Sequence, residues 1–277
     1  MKTWFITGAA RGFGALITER LLAQGDAVIA TARDPRAIAE RFGTVEKLLP
    51  VALDVADEAQ AFAAVQAGLD RFGRIDVLLN NAGFGLMGAV EEATAAEIEA
   101  VFRTNVFGLL NVTRAVLPAM RAARSGRILN ISSIGGYRSA AGFGVYCATK
   151  FAVEGLSEAL HDELAPLGIH VTVVEPGYFR TDFLDARSLT TSPSRIADYD
   201  ATAGKVREVA AGLSHNQPGN PARLAEVLVA FADAPSPPVR LPLGSDTVAA
   251  LEAKHASDAA ILANWRKVSA STDFVPA

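Results

Sequence analysis

Short apolar runs alternate with longer helical patterns from the start of the chain to about residue 175, and nothing else in the sequence constrains the fold as much. The runs are Trp4–Ile6, Ala27–Ala30, Leu49–Ala52, Val77–Leu79, Arg127–Ile131 and Val171–Val174. Helix-like stretches between them include Ala15–Ala23, Glu58–Phe72, Ala96–Arg121 and Phe151–Leu164. Most runs are apolar at consecutive rather than alternate positions, as strands covered on both faces are. The alternation predicts an α/β fold built on a doubly wound parallel sheet.

The first run ends in Thr7-Gly8-Ala9-Ala10-Arg11-Gly12-Phe13-Gly14, and a helical pattern (Leu16, Ile17, Arg20, Leu21) begins at once. In that context each glycine has a use. Gly8 permits a tight turn, Gly12 lets backbone approach a pyrophosphate, and Gly14 lets helix pack closely on strand. The helix N-terminus then offers free N–H groups to phosphates. The second run ends Ala30-Thr31-Ala32-Arg33, with Ala32 where a site for NAD usually carries an acid. Asp34-Pro35 reads instead as a helix N-cap followed by Pro at the first helical position. Arg33 and Arg11 suit a 2′-phosphate, so the expected cofactor is NADP rather than NAD.

Composition excludes several classes. Half of the 277 residues are hydrophobic and a fifth charged, with a net charge of −4. No basic run suggests nucleic acid, and no apolar stretch approaches the length of a membrane span. The run at Trp4 so close to Met1 leaves no room for a signal peptide, which points to a cytoplasmic setting. A single cysteine, Cys147, rules out an internal disulfide and a thiolate zinc site. The four histidines (His161, His170, His215, His255) show no metal-ligand spacing, so no metal is expected. A serine hydrolase would need GxSxG, which is absent.

Tyr146 and Lys150 stand four residues apart near the start of a predicted helix, hence on one face. An ammonium beside a phenol favours the phenolate and would draw its pKa toward neutrality, where it can exchange protons with an alcohol. Taken alone, that spacing is weak evidence.

Taken with five other segments it is not. The chain resembles the short-chain dehydrogenase/reductase family along almost its whole length. Thr7 to Gly14 is similar to the family's TGxxxGxG, Asn80-Asn81-Ala82-Gly83 to NNAG, and Asn105 to its catalytic Asn. Ser133 lies thirteen residues before Tyr146, as the family's Ser does, Tyr146–Lys150 matches YxxxK, and Pro176-Gly177 with Thr181 matches PGxxxT. The strand-two ending and the length resemble the NADP-dependent steroid- and retinol-dehydrogenase-like branch. The resemblance implies a single Rossmann-type domain over 1–277, with Asn105, Ser133, Tyr146 and Lys150 catalytic. Tyr146 would be the acid in reduction and the base in oxidation. Lys150 would hold the nicotinamide ribose, Ser133 the substrate oxygen, and Asn105 a relay water. Ser133 is preferred to Ser132 because alternate strand residues face opposite ways. Gly8, Arg11, Gly12, Phe13 and Gly14 would hold the phosphates, and Arg33 the 2′-phosphate. Asp54 and Val55 would meet the adenine, and Asn81, Ala82 and Gly83 would line the adenosine side. Pro176, Gly177, Phe179 and Thr181 would flank the carboxamide.

The last hundred residues read differently. From 182 to 220 Ser, Thr, Pro and Gly breaks interrupt helical pieces, as in a lid over a substrate or in a surface insertion. Ala222–Ala232 reads as a helix and Pro237–Leu241 as a final strand. A helical tail spans Val248–Lys267 within 244–277. The stretch Gly135–Gly144 carries one charge, Arg138, and Tyr178, Phe183 and Leu184 follow the Pro-Gly turn. In the family the chain resembles, such positions flank the substrate, so the resemblance implies an apolar or aromatic carbonyl substrate, reduced by NADPH. The resemblance also implies that helices Ala96–Arg121 and Phe151–Leu164 pack across a two-fold axis in a homodimer or homotetramer. The competing reading is an NADP-binding sensor on the same fold without turnover.

Overall fold

The computed structural model describes residues 1–274. In chain order it runs β1 (Thr3–Ile6), α1 (Gly12–Ala23), β2 (Ala27–Ala32), α2 (Arg36–Phe42), β3 (Leu48–Ala52), α3 (Glu58–Phe72), β4 (Val77–Asn80), β5 (Gly85–Met87), α4 (Ala95–Phe102), α5 (Leu109–Ala123), β6 (Gly126–Ile131), α6 (Gly144–Leu164), β7 (Ile169–Pro176), β8 (Leu189–Thr191), α7 (Lys205–Leu213), α8 (Pro221–Phe231), β9 (Arg240–Leu243) and α9 (Ser245–Ala270).

The main sheet has the order β3-β2-β1-β4-β6-β7-β9 with every pair parallel. Strand order reverses between β1 and β4, which opens a crevice at their C-terminal ends. The doubly wound sheet is thus the expected one. Strand residues alternate between two cores. Trp4, Ile6, Val28, Ala30, Leu79 and Leu129 pack on Ile17, Leu21 and Leu228 of α1 and α8. Phe5, Ile29, Leu78, Ile128 and Val171 pack on Val65, Val112, Val116 and Met120 of α3 and α5. Both faces are apolar, which is why the strands carry no polar alternation.

Several boundaries differ from the sequence reading, four of them near the cleft or with a plain local cause. The helix expected over Ala96–Arg121 is two helices joined by a π-helical turn, Arg103–Gly108, with Asn105 buried in it. α6 starts at Gly144, so Tyr146 and Lys150 lie within its first two turns. The last strand begins at Arg240, since Pro237 and Pro238 have no N–H to donate to a ladder. α2 begins at Arg36, one residue later than expected, and Asp34 Oδ1 caps the Arg36 N–H at 3.0 Å.

Segment 182–220 is ordered by contacts too short or too distant to read in sequence. Its strand β8 pairs in parallel with β5, Gly85–Met87 against Leu189–Thr191. Arg207 Nη1 donates to the buried Glu92 at 2.6 Å, and Glu92 also accepts from the Ala89 and Ile196 N–H groups. Asp185 joins the segment's two halves, accepting from Ser214 Oγ at 3.0 Å and lying 3.1 Å from His215 Nε2. The helical tail spans Ser245–Ala270, and the part of the expected tail over 275–277 lies outside the described residues. No helix among the described residues is long and apolar enough to cross a membrane.

Candidate active site

The crevice at the strand reversal is a cleft of about 880 Å³ that runs from the glycine loop to the start of α6 and under residues 181–190. Among the expected site residues, Gly8, Arg11, Gly12, Phe13, Arg33, Asp54, Val55, Asn81, Ala82, Gly83, Ser133, Tyr146, Lys150, Pro176, Gly177, Phe179 and Thr181 line it. Gly14 and Asn105 stand behind the wall.

At the loop end, Gly8 takes a φ of +67° and Gly12 one of +54°, conformations that L side chains rarely hold. A Cβ on Gly14 would sit 2.4 Å from the Gly8 carbonyl oxygen, so α1 could not approach β1 as it does. α1 begins with no side-chain cap and no acid in its first turn. Its free N–H groups open on the cleft, an arrangement suited to phosphate. The loop is held by Thr7 and Asn81. Thr7 Oγ1 accepts from the N–H groups of Asn81 and Ala82, both at 2.9 Å. Asn81 Nδ2 donates to the Thr7 and Gly8 carbonyls at 2.9 and 3.0 Å. Asn81 therefore shapes the loop with its amide nitrogen while lining the cleft, and Thr7 is a site residue that the motif contained without a role.

Beside the loop, burial pushes the Arg11 guanidinium down, and Arg187 and Arg33 push it further while Asp182 opposes them. Arg187, from the segment over the cleft, was not anticipated, because sequence gives no sign that residue 187 returns to residue 11. The Arg11 side chain donates to its carbonyl at 2.5 Å. Asp34 is engaged elsewhere: the Arg36 side chain binds it through both oxygens at 2.7–3.2 Å and, with the Arg36 N–H, holds its carboxyl below the ordinary range.

At the other end, β6 delivers Ser133 and α6 delivers Tyr146 and Lys150. Ser133 is in extended conformation and its hydroxyl accepts from the Gly135 N–H at 3.0 Å. A Cβ on Gly135 would lie 3.5 Å from Ser133 Oγ, 3.6 Å from Tyr146 Cε1 and 3.1 Å from Cys147 Sγ, so these side chains converge about one missing methyl. Lys150 Nζ donates to the Ile131 carbonyl at 2.8 Å and lies 5.8 Å from the Tyr146 ring centroid. Phe183 and Phe143 flank the tyrosine at 5.6 and 6.2 Å between centroids, with Leu184 and Leu189 beside them.

Burial corrects the expected electrostatics of the pair. The phenol of Tyr146 is pushed up, not down, because desolvation outweighs the hydrogen bond to Ser133. Burial also pushes Lys150 down to about 8, with Glu154 opposing it. The site holds a neutral phenol, which is the form that donates a proton.

Asn105 is held from both sides by the protein. Its Oδ1 accepts from the Phe84 N–H at 3.0 Å, and its Nδ2 donates to the Phe84 carbonyl at 2.9 Å and to Thr149 Oγ1 at 3.0 Å. The amide ties the π-helical turn to the loop after β4 and to the residue before Lys150. Asp246 is a further residue that sequence did not reveal. From the first turn of α9 it accepts from the Tyr178 N–H at 2.7 Å and crowds the Cα of Gly177, where a Cβ would sit 2.2 Å from Oδ1. Sequence spacing also gives no sign that Asp182, Asp185 and His215 come together, one polar atom of each within 4.8 Å of the others.

Comparison with known proteins follows the same outline. The family model described as short chain dehydrogenase matches residues 2–191. The oxidoreductase BOA17 of Botryotinia fuckeliana is 40% identical over 275 residues, covering 97% of this chain and 98% of its own. A short-chain dehydrogenase from Streptomyces avermitilis superposes with a TM-score of 0.90 at 41% identity, covering 99% of this chain and 100% of its own. More distant solved structures hold a dinucleotide. One is ElxO with NADP bound, at 26% identity and a TM-score of 0.74 over 90% of this chain and 99% of its own. Another is a 3-ketoacyl-(acyl-carrier-protein) reductase from Brucella melitensis with NADH, at 29% identity and a TM-score of 0.72 over 87% and 96%.

Proposed function

The chain belongs to the short-chain dehydrogenase family, and from that premise we propose that it is an NADPH-dependent reductase that converts a ketone or aldehyde to an alcohol, reversibly. The observation that carries the reading is the convergence of Ser133, Tyr146 and Lys150 on a cleft whose far end is an uncapped glycine-loop helix.

The residues present fit a nicotinamide dinucleotide. Gly8, Gly12 and the first-turn N–H groups of α1 would take the pyrophosphate, Asp54 and Val55 the adenine, and Thr181 with the backbone of Pro176, Gly177 and Phe179 the carboxamide. Arg33 and Arg11 beside the small Ala32 favour a 2′-phosphate, and the acid next to them, Asp34, is paired with Arg36. The nicotinamide, when bound, supplies the hydride.

The chain's own groups do the rest. Ser133 orients the carbonyl oxygen. Tyr146 gives it the phenolic proton as charge develops there, and takes that proton back in the oxidative direction. Lys150, with one N–H fixed on Ile131, keeps two donors and a positive charge to hold a ribose and to stabilise the phenolate that results. Asn105 holds Phe84 and Thr149, and so acts as a positioning residue for Lys150. Phe143, Phe183, Leu184 and Leu189 line the approach to Tyr146, which favours an apolar or aromatic carbonyl. Pairing in a homodimer or homotetramer through α5 and α6 would cover the exposed Phe107 and Phe151.

The test is a panel of aliphatic, aromatic and acyl ketones and aldehydes, with NADPH and NADH, followed by loss of reduced-nicotinamide absorbance. The reading expects turnover of apolar ketones with NADPH favoured. Binding of NADPH without turnover of any of them would favour a sensor instead.

A further inference from the structure

One helical turn beyond Lys150 on α6, Glu154 is buried against Glu175 of β7, at 3% and 0% exposure. Both carboxyl groups lean on one guanidinium nitrogen. Arg240 Nη1 donates to Glu154 Oε2 at 2.5 Å and to Glu175 Oε1 at 2.6 Å, while its other nitrogens reach Glu158 at the surface. The second oxygens, Glu154 Oε1 and Glu175 Oε2, are buried with no hydrogen-bond partner, and so is the hydroxyl of Ser132. Glu154 Oε1 and Ser132 Oγ gather on Gly136, where a Cβ would lie 2.7 and 2.5 Å from them.

Two ionised carboxylates cannot both be satisfied here. The shared Nη1 group of Arg240 gives each carboxylate a single N–H, and the Ser132 hydroxyl lies beside Glu154 Oε1, so Glu175 Oε2 is left a buried acceptor with no donor, at the cost of desolvation and like-charge repulsion. A single proton turns one acceptor into a donor and answers the deficit. We propose that Glu154 and Glu175 hold one proton between them, and that this pair sets the charge on Lys150, which makes Glu154 a positioning residue for the reaction. The inference rests on Lys150 acting at the reacting centre, as proposed above.

The groups that face Glu154 are few. Its own helix gives Lys150 and Glu158, β7 gives Glu175, and β9 gives Arg240. The turn after β6 gives Ser132 and Tyr137, whose ring lies 5.2 Å under the Arg240 guanidinium and whose hydroxyl meets His255 of α9. Burial and then Glu175 raise Glu154, with Ser132 and Arg240 opposing, and Glu154 in turn holds up the lysine that burial pushes down. Lys150 therefore stays cationic to the extent that the negative charge of the pair resides on Glu154.

The two isosteric variants must act in opposite senses. Glu154→Gln removes the counter-charge of Lys150. Glu175→Gln leaves Glu154 the sole buried carboxyl on Arg240, beside the surface Glu158, hence ionised. A side-chain NMR titration of Lys150 in the full chain, its resonance assigned with Lys150→Arg, reads this directly. The Lys150 midpoint is expected to fall by about one pH unit in Glu154→Gln and to rise in Glu175→Gln. Infrared spectra of the unsubstituted protein at neutral pH are expected to show a buried protonated carboxyl that both variants lose. Midpoints that do not move, or that move the same way in both variants, would overturn the proposal, and so would the absence of that carboxyl band. Neither readout needs turnover, so a failed substrate panel would count against the reductase reading and leave this test intact.

Discussion

Tyr146 and Arg33 are the residues on which chemistry and cofactor choice separate. Tyr146→Phe keeps the ring against Phe143 and Phe183 and removes only the hydroxyl. Turnover is expected to fall by about 10²–10⁴-fold while NADPH binds as before, measured by fluorescence titration beside the rate. Arg33→Ala is expected to weaken NADPH about ten- to a hundredfold, the loss of one charge-assisted hydrogen bond, and NADH little. Equal losses would mean that Arg33 does not read a 2′-phosphate. Legibility at this scale followed the distance between partners. Ser133 could be chosen over Ser132 because strand alternation is local. The direction of the Tyr146 shift could not be read, because it depends on burial by Phe143, Phe183 and Leu189 from three separate elements. Arg240 was equally hidden, since nothing in a sequence states that residue 240 meets residues 154 and 175.

Elements that carry their own periodicity were readable, and those made by pairing were not. The main strands and α3 declared themselves, whereas β5 and β8 have three residues each and exist only because they meet across a hundred residues of chain. The ion pair that fastens segment 182–220 is of the same kind. Glu92 is held down to about 2, first by the hydrogen bond from Arg207 and then by the Ile196 N–H. A carboxyl depressed in the fold stabilises it fully above its ordinary pKa of 4.5 and loses that contribution as pH falls from there through 2. Urea denaturation from pH 7 to pH 2.5 is therefore expected to show an acid-labile component that Glu92→Gln lacks. Glu92→Ala strands a buried Arg207 and two N–H groups, and is expected to cost about 3–5 kcal/mol at pH 7. The π-helical turn was unreadable for another reason. An amphipathic pattern that continues through Arg103–Gly108 looks like one helix, and the extra residue shows only where Asn105 finds Phe84 and Thr149.

For the whole molecule, Phe107 on the π-helical turn and Phe151 on α6 are exposed apolar surface that the proposed homodimer or homotetramer would cover. Analytical ultracentrifugation is expected to give at least twice the 29.0 kDa chain mass, and Phe151→Glu to shift it toward one chain. Sheet order has a consequence in time as well. A ribosome releases β1, β2 and β3 first, and these stack outward from β1 to one edge. The next long strand, β4, returns to the opposite edge of β1, and β6, β7 and β9 then join one after another, each beside a strand already made. No strand of this sheet waits for a neighbour not yet synthesised. The place where construction changes direction, between β1 and β4, is also where the cleft lies, so a nascent chain can form its glycine loop before Tyr146 has left the ribosome.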